Sequence, residues 1–202
     1  MNYTQFRSAF AGYPVISISD IRTVEPRFDR RRLSEWQEKG YLKKVVKGQY
    51  IFVDARLDEQ RLFEIAVRIY RPSYISLETA LSHHGLIPES VYAVTAVTTR
   101  RTYRCDTPIG RFSFRTLRPR LFFGYTIGPG LARMATLEKT VLDFLYLNPS
   151  MSGPDDFSSW RFNREIFLDR YDRELFSRFV DRYGVRALAA RARRFLEWVN
   201  HA

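Results

Sequence analysis

Residues 29–53, DRRRLSEWQEKGYLKKVVKGQYIFV, constrain this chain more than any other stretch. Asp29 is a good helix N-cap, Gly40 a good C-cap, and the residues between them favour helix. Beyond Gly40 the composition turns β-branched and aromatic, with a break at Lys47-Gly48 that spells a short hairpin. A basic helix running straight into a small basic hairpin is the layout of a winged helix-turn-helix. In that layout the helix enters the DNA major groove and the hairpin grips the flanking backbone.

The helix can be divided into faces. At 100° per residue, Trp36, Gln37 and Gly40 fall within about 60° of Leu33, so the inward face centres near Leu33 and Trp36. Arg31 then points outward among Ser34, Glu35 and Glu38, with Arg30 and Arg32 on the flanks. An outward arginine suits a guanine edge, and flanking cations suit phosphates. The candidate base readers are Arg31, Ser34 and Gln49. The candidate phosphate contacts are Arg27, Arg30, Arg32, Lys43, Lys44 and Lys47. The alternative is a solvated face on which Arg31 pairs with Glu35 one turn later.

Charge supports an anionic partner. The 202 residues carry a net charge of +11 and favour an anionic partner such as nucleic acid. Residues 1–56 hold 11 Lys/Arg against 6 Asp/Glu, so the excess is densest around the proposed winged helix, although residues 57–150 hold 12 against 8. A hydrophobic content of 45% is enough for a packed core. The one cysteine, Cys105, excludes an internal disulfide and a cysteine-based zinc site. The N-terminus lacks the apolar core of a signal peptide, and no run approaches the ~18 apolar residues of a spanning helix. The expectation is a soluble, cytoplasmic protein that does not engage a membrane.

In chain order, residues 2–10 suggest a first helix, Ile16–Ile18 a brief extended segment, and Ile21–Val24 a second helix capped by Ser19-Asp20. With Asp29–Lys39 and the hairpin these form a unit of residues 1–56. Leu57–Tyr70 and Ser76–His84 read as helices, the second N-capped by Ser76 and closed by Gly85. Tyr92–Thr99, Thr107–Ile109, Arg111–Leu117 and Leu121–Ile127 read as strands. Thr136–Leu147 is apolar nearly all round, which marks a buried central helix. Residues 148–156, NPSMSGPDD, form a linker or a long connection. Helices follow at Asn163–Tyr171, Asp172–Tyr183 and Val185–Asn200. The fold class expected is α+β: an N-terminal winged helix-turn-helix, then a mixed α/β domain over 57–202 whose C-terminal helices, 157–202, could form a subdomain.

RPSYISLETALSHHGLIPE (71–89), TPIGRFSF (107–114) and ATLEKTVLDFLYL (135–147) resemble segments of the AbiEi family of antitoxin-type transcriptional regulators from bacterial phage-defence loci. The resemblance covers about residues 70–147. Tyr74, Ser76, Leu77, Ala80, Leu81, His84, Gly85, Leu86, Glu138, Lys139 and Asp143 fall on the family's characteristic positions. The resemblance implies an N-terminal domain that represses its own operon and a second domain that counteracts a nucleotidyltransferase toxin. Most of these positions look structural: Ser76 caps a helix, Gly85 ends one, and Lys139 and Asp143 can pair at i,i+4.

Enzymatic signals are sparse. His83 and His84 are adjacent, so on a helix they point about 100° apart, a poor metal pair. There is no G-x-S-x-G and no Gly-rich phosphate loop. Neither a cofactor, a metal nor a catalytic residue is expected. The sequence therefore points to a repressor and antitoxin whose partners are double-stranded operator DNA and, by resemblance, a nucleotidyltransferase toxin. The competing readings are a toxin-neutralising or RNA-binding protein acting through the second domain, a standalone regulator without a toxin, and a nuclease.

Overall fold

The computed structural model describes residues 1–88 and 93–201, so the first residue of the expected strand Tyr92–Thr99 and the end of the segment 71–89 lie outside the described residues. The protein is a mixed α+β structure with helices at both ends of the chain.

Helix α1 (Tyr3–Phe10) begins at a capping box, in which Asn2 and Gln5 satisfy each other's free amides. Strand β1 (Ile16–Ser17) leads directly into α2 (Ile18–Val24). This helix starts earlier than its sequence suggests, because Ser17 and Asp20, three apart, form the capping box in place of Ser19-Asp20. Helix α3 (Arg31–Glu38) begins two residues after Asp29, whose carboxylate accepts the Arg31 amide at 3.0 Å. Gly40 ends it at φ +70°, with the Tyr41 amide reaching back to the Trp36 carbonyl at 2.8 Å. Strands β2 (Leu42–Val46) and β3 (Gln49–Phe52) turn at Lys47-Gly48, and β1 adds to β3, giving an antiparallel sheet of order β1-β3-β2. Phe6, Phe10, Ile21, Phe28, Leu33, Trp36, Leu42, Tyr50 and Phe52 fill the core between these helices and one face of that sheet.

Helix α4 (Glu59–Ile69) follows, then β4 (Ser73–Ile75) and α5 (Leu77–His83). Strands β5 (Ala93–Thr98), β6 (Tyr103–Thr107), β7 (Gly110–Thr116), β8 (Tyr125–Ile127) and β9 (Arg133–Ala135) complete a six-stranded sheet of order β6-β7-β5-β4-β9-β8. Of the expected strand Thr107–Ile109 only Thr107, the last residue of β6, is in a strand; Pro108 and Ile109 form the turn of the β6–β7 hairpin. Pro108 offers no amide to a ladder, and the Thr107 hydroxyl closes the turn on the Gly110 carbonyl at 2.7 Å. The expected strand Leu121–Ile127 shrinks to β8, its first part forming a 3-10 turn at Pro119–Leu121.

One face of this sheet, with Ile75, Ala96, Phe112 and Phe114, packs on α4, on Val15 just ahead of β1, and on Val45 and Ile51 from the back of the small sheet. The other face is covered by α5 and α6 (Leu137–Leu147). Nine of the eleven residues of α6 are buried, so it is the central helix that its all-round apolar pattern indicates. A helix, α7 (Pro154–Ser159), begins inside the expected loop 148–156, since Asp156 accepts the amides of Ser152 and Gly153 ahead of Pro154. Helices α8 (Arg164–Arg170), α9 (Arg173–Tyr183) and α10 (Arg186–His201) close over α6 through Phe167, Phe176, Leu188 and Phe195, in one continuous core with Tyr74, Leu81 and Val141. Among the described residues no helix is long and apolar enough to cross a membrane.

Candidate nucleic-acid interface

Trp36 and Leu33 anchor α3 inward, the indole ring lying 4.7 Å from Phe6 and 5.8 Å from Phe28. That anchoring turns the opposite face outward. Arg31, Ser34, Glu35 and Glu38 are exposed, as are Arg27 and Arg30 in the approach to the helix. On the hairpin, Lys44 and Lys47 are exposed and Lys43 is half-buried. Among the described residues, the side chains of Arg27, Arg30, Arg31, Lys43, Lys44 and Lys47 make no hydrogen bond or ion pair. The alternative in which Arg31 is neutralised by Glu35 is therefore not formed. Some other surface arginines are matched, as in Arg7 with Asp54 (2.6 Å) and Arg111 with Asp106 (3.1 Å).

Two of the candidate residues face differently. The Arg32 guanidinium donates to the Met1 carbonyl and is half-buried, tying the chain start to α3. Gln49 is turned inward: its amide nitrogen donates to the Ile69 carbonyl at 3.3 Å, and its oxygen is buried without a partner. Neither side chain is free to meet a ligand in this arrangement. The hairpin turn itself is closed against α2, with the Gly48 carbonyl accepting the Ile18 amide at 3.1 Å.

The positions that carry the family resemblance converge on a different place, deep in the second unit. Asp143 on α6 is fully buried and accepts from Tyr74 Oη (2.8 Å) and Ser76 Oγ (2.9 Å) on β4 and at its end. It accepts also from Lys139 Nζ one turn earlier and from Tyr183 Oη at the end of α9. Lys139 in turn donates to Tyr183 Oη at 2.8 Å. Ser76 is thus not a side-chain helix cap, because its hydroxyl is spent on Asp143. Burial pulls the Lys139 ammonium below its ordinary value, and the negative charge of Asp143 opposes that. Burial, reinforced by the same carboxylate, holds the Tyr74 and Tyr183 phenols well above theirs. A group of five polar side chains with no opening to solvent pins β4, α6 and α9 together and cannot reach a substrate.

The remaining motif positions are structural too. Leu77, Ala80, Leu81 and Leu86 are core residues, and Gly85 takes φ +76° where α5 ends. Glu138 accepts the Asp172 amide at 3.0 Å. The His84 ring nitrogen Nε2 lies 2.9 Å from the Ala135 carbonyl, and His83 packs edge-on against Phe63. No group of three or more His, Cys, Asp or Glu able to hold a metal is gathered among the described residues. Tyr183, which completes the buried group, has no local signal in the sequence beyond its place on an apolar helical stripe.

Neither a comparison with protein-family models nor one with curated proteins returns a match for this chain.

Proposed function

We propose that this protein is a DNA-binding transcriptional regulator whose first 56 residues act as a winged helix-turn-helix. The observation that carries the reading is the unpaired cationic face of α3 and the hairpin, set on a helix whose other face is locked into a core. Arg31 and Ser34 read base edges, while Arg27, Arg30, Lys43, Lys44 and Lys47 neutralise phosphates. The helix order and the β1-β3-β2 sheet support the same reading. On the AbiEi-like segments, the second domain is an antitoxin domain that counteracts a nucleotidyltransferase toxin encoded in the same operon. The buried Asp143 group gives that domain its shape and takes no part in chemistry.

The test is binding to a duplex drawn from upstream of its own reading frame, compared with a random duplex over a salt series. With about five phosphates met, log affinity falls against log salt with a slope near −4.5. Arg31→Ala weakens the specific duplex by about 1–3 kcal/mol and spares the random one, whereas Lys47→Ala weakens both alike. A slope near zero, or equal losses for both variants on both duplexes, refutes the assignment.

A further inference from the structure

The last turn of α4 and the loop before β9 enclose a pocket of about 140 Å³, lined by Val67, Arg68, Arg71, Gly130, Leu131 and Arg133. Half of the lining is arginine and none of it is acidic. Arg68 lies over the Tyr13 ring at 5.3 Å and Arg133 over the Tyr125 ring at 5.7 Å, contacts that orient the guanidinium groups without neutralising them. Among the described residues, none of the three has a carboxylate partner. Glu64, one turn back on α4, lies against Gly130 and is already matched by Arg61 at 2.9 Å.

Like charges gathered about one small volume repel, and an anion placed among them removes that repulsion. The C-terminal end of α4 opposes an anion with about half a negative charge, which three full positive charges outweigh. We infer that this pocket binds the phosphate group of a small phosphorylated molecule, the three arginines supplying forked donors. A volume of 140 Å³ is the liquid share of about four or five waters. It takes a tetrahedral oxyanion, while any sugar or base attached to it lies outside, against Leu131, which is 67% exposed. The backbone supports a built feature at this point. Leu131 holds φ +63°, a conformation costly for a residue with a side chain and frequent where ligands are clamped. The inference stands apart from the α3 face and does not require it.

Equilibrium dialysis of the full chain against labelled inorganic phosphate, then pyrophosphate, at fixed ionic strength reads the site. One phosphate per chain is expected. Its affinity falls about tenfold or more in Arg71→Gln and Arg133→Gln, as for loss of a charge-assisted hydrogen bond. It is unchanged in Arg104→Gln, whose arginine is exposed on β6. Arg71 is itself exposed, so its variant keeps the fold, which far-UV circular dichroism checks. No binding, or an equal loss in Arg104→Gln, overturns the inference. A saturating random-sequence duplex separates the two sources of phosphate. Retention of the bound phosphate supports a free ligand. Its displacement, together with weaker duplex binding by Arg71→Gln, overturns that and gives the pocket to the DNA backbone.

Discussion

Removing Asp143 should harm this protein more than removing Lys139, although the two form one ion pair. Lys139→Met leaves a buried carboxylate that still accepts from Tyr74, Ser76 and Tyr183. Three hydroxyl donors are enough to hold that charge, so the cost is about 1–3 kcal/mol. Asp143→Asn leaves a fully buried ammonium facing neutral partners, and an uncompensated buried charge costs about 3–5 kcal/mol. Both fit within the usual stability of about 5–15 kcal/mol, so both variants remain foldable. The pH dependence identifies the cause. Burial already lowers the Lys139 pKa, and Asp143 is what holds it up, so the asparagine variant sheds that proton at lower pH when folded. Between the lowered value and the ordinary 10.5 the unfolded chain binds a proton that the folded chain does not, so stability climbs with pH, by at most about 1.4 kcal/mol per unit. Urea denaturation followed by circular dichroism at about pH 7 and about pH 9.5 should therefore show the Asp143→Asn deficit shrinking. A Lys139→Met loss as large as that of Asp143→Asn, or a deficit unchanged with pH, refutes the reasoning.

Two further outcomes are expected. Gly130→Ala combines a left-handed φ of +62° with a Cβ only 2.0 Å from the Glu64 carboxylate oxygen. It should cost more than Gly40→Ala, where φ is +70° but nothing lies within 4 Å and the cost is about 1–2 kcal/mol; equal urea midpoints for the two variants would count against the tight packing. Burial lowers the pKa of His84 below 6.5, so as pH falls below that value the unfolded chain takes up a proton that the folded chain refuses, and stability is lost. His84→Gln should flatten that acid limb, which a melting-temperature series against pH measures.

The parts of this fold that local chemistry dictates were legible in the sequence. Gly40 and the Lys47-Gly48 break mark their turns through backbone conformation alone, and Leu33 and Trp36 mark the inward face by angle. Strands β4 and β9 were not legible: each has three residues, and their parallel pairing, Ile75 to Met134, joins segments far apart in the chain. The same limit governs side chains. Periodicity gives the direction of Arg32 and Gln49 but not the carbonyls that hold them, 31 and 20 residues away. The i,i+4 spacing announces Lys139 with Asp143, yet Tyr183 joins them from 40 residues beyond Asp143. In the proposed phosphate pocket Arg68 and Arg71 are near neighbours in the chain, but most of the second sheet separates them from Arg133.

The hairpin explains how a basic surface and a shared core can occupy the same eleven residues, Leu42 to Phe52. Leu42, Lys44, Tyr50 and Phe52 lie on the face toward α3, and Lys43, Val45 and Ile51 on the face toward the second sheet, following the two-residue alternation of a strand and the Leu42-Phe52, Lys43-Ile51 and Lys44-Tyr50 register. Val45 and Ile51, each worth about 1.5–3 kcal/mol when buried, hold the hairpin against α4 and β7. A bulge between Lys44 and Val46 then breaks the register just before the turn. Lys44 is left exposed on the α3 side and Lys47 exposed at the turn, while Lys43 is half-covered on the other face. In the proposed DNA complex the phosphate contacts therefore come from the tip and rim of the hairpin and not from its flat face. The contribution of Lys43 to the salt dependence should accordingly be the smallest of the three lysines, and a Lys43→Ala slope change as large as that of Lys47→Ala would mean that the hairpin detaches from the second sheet on binding.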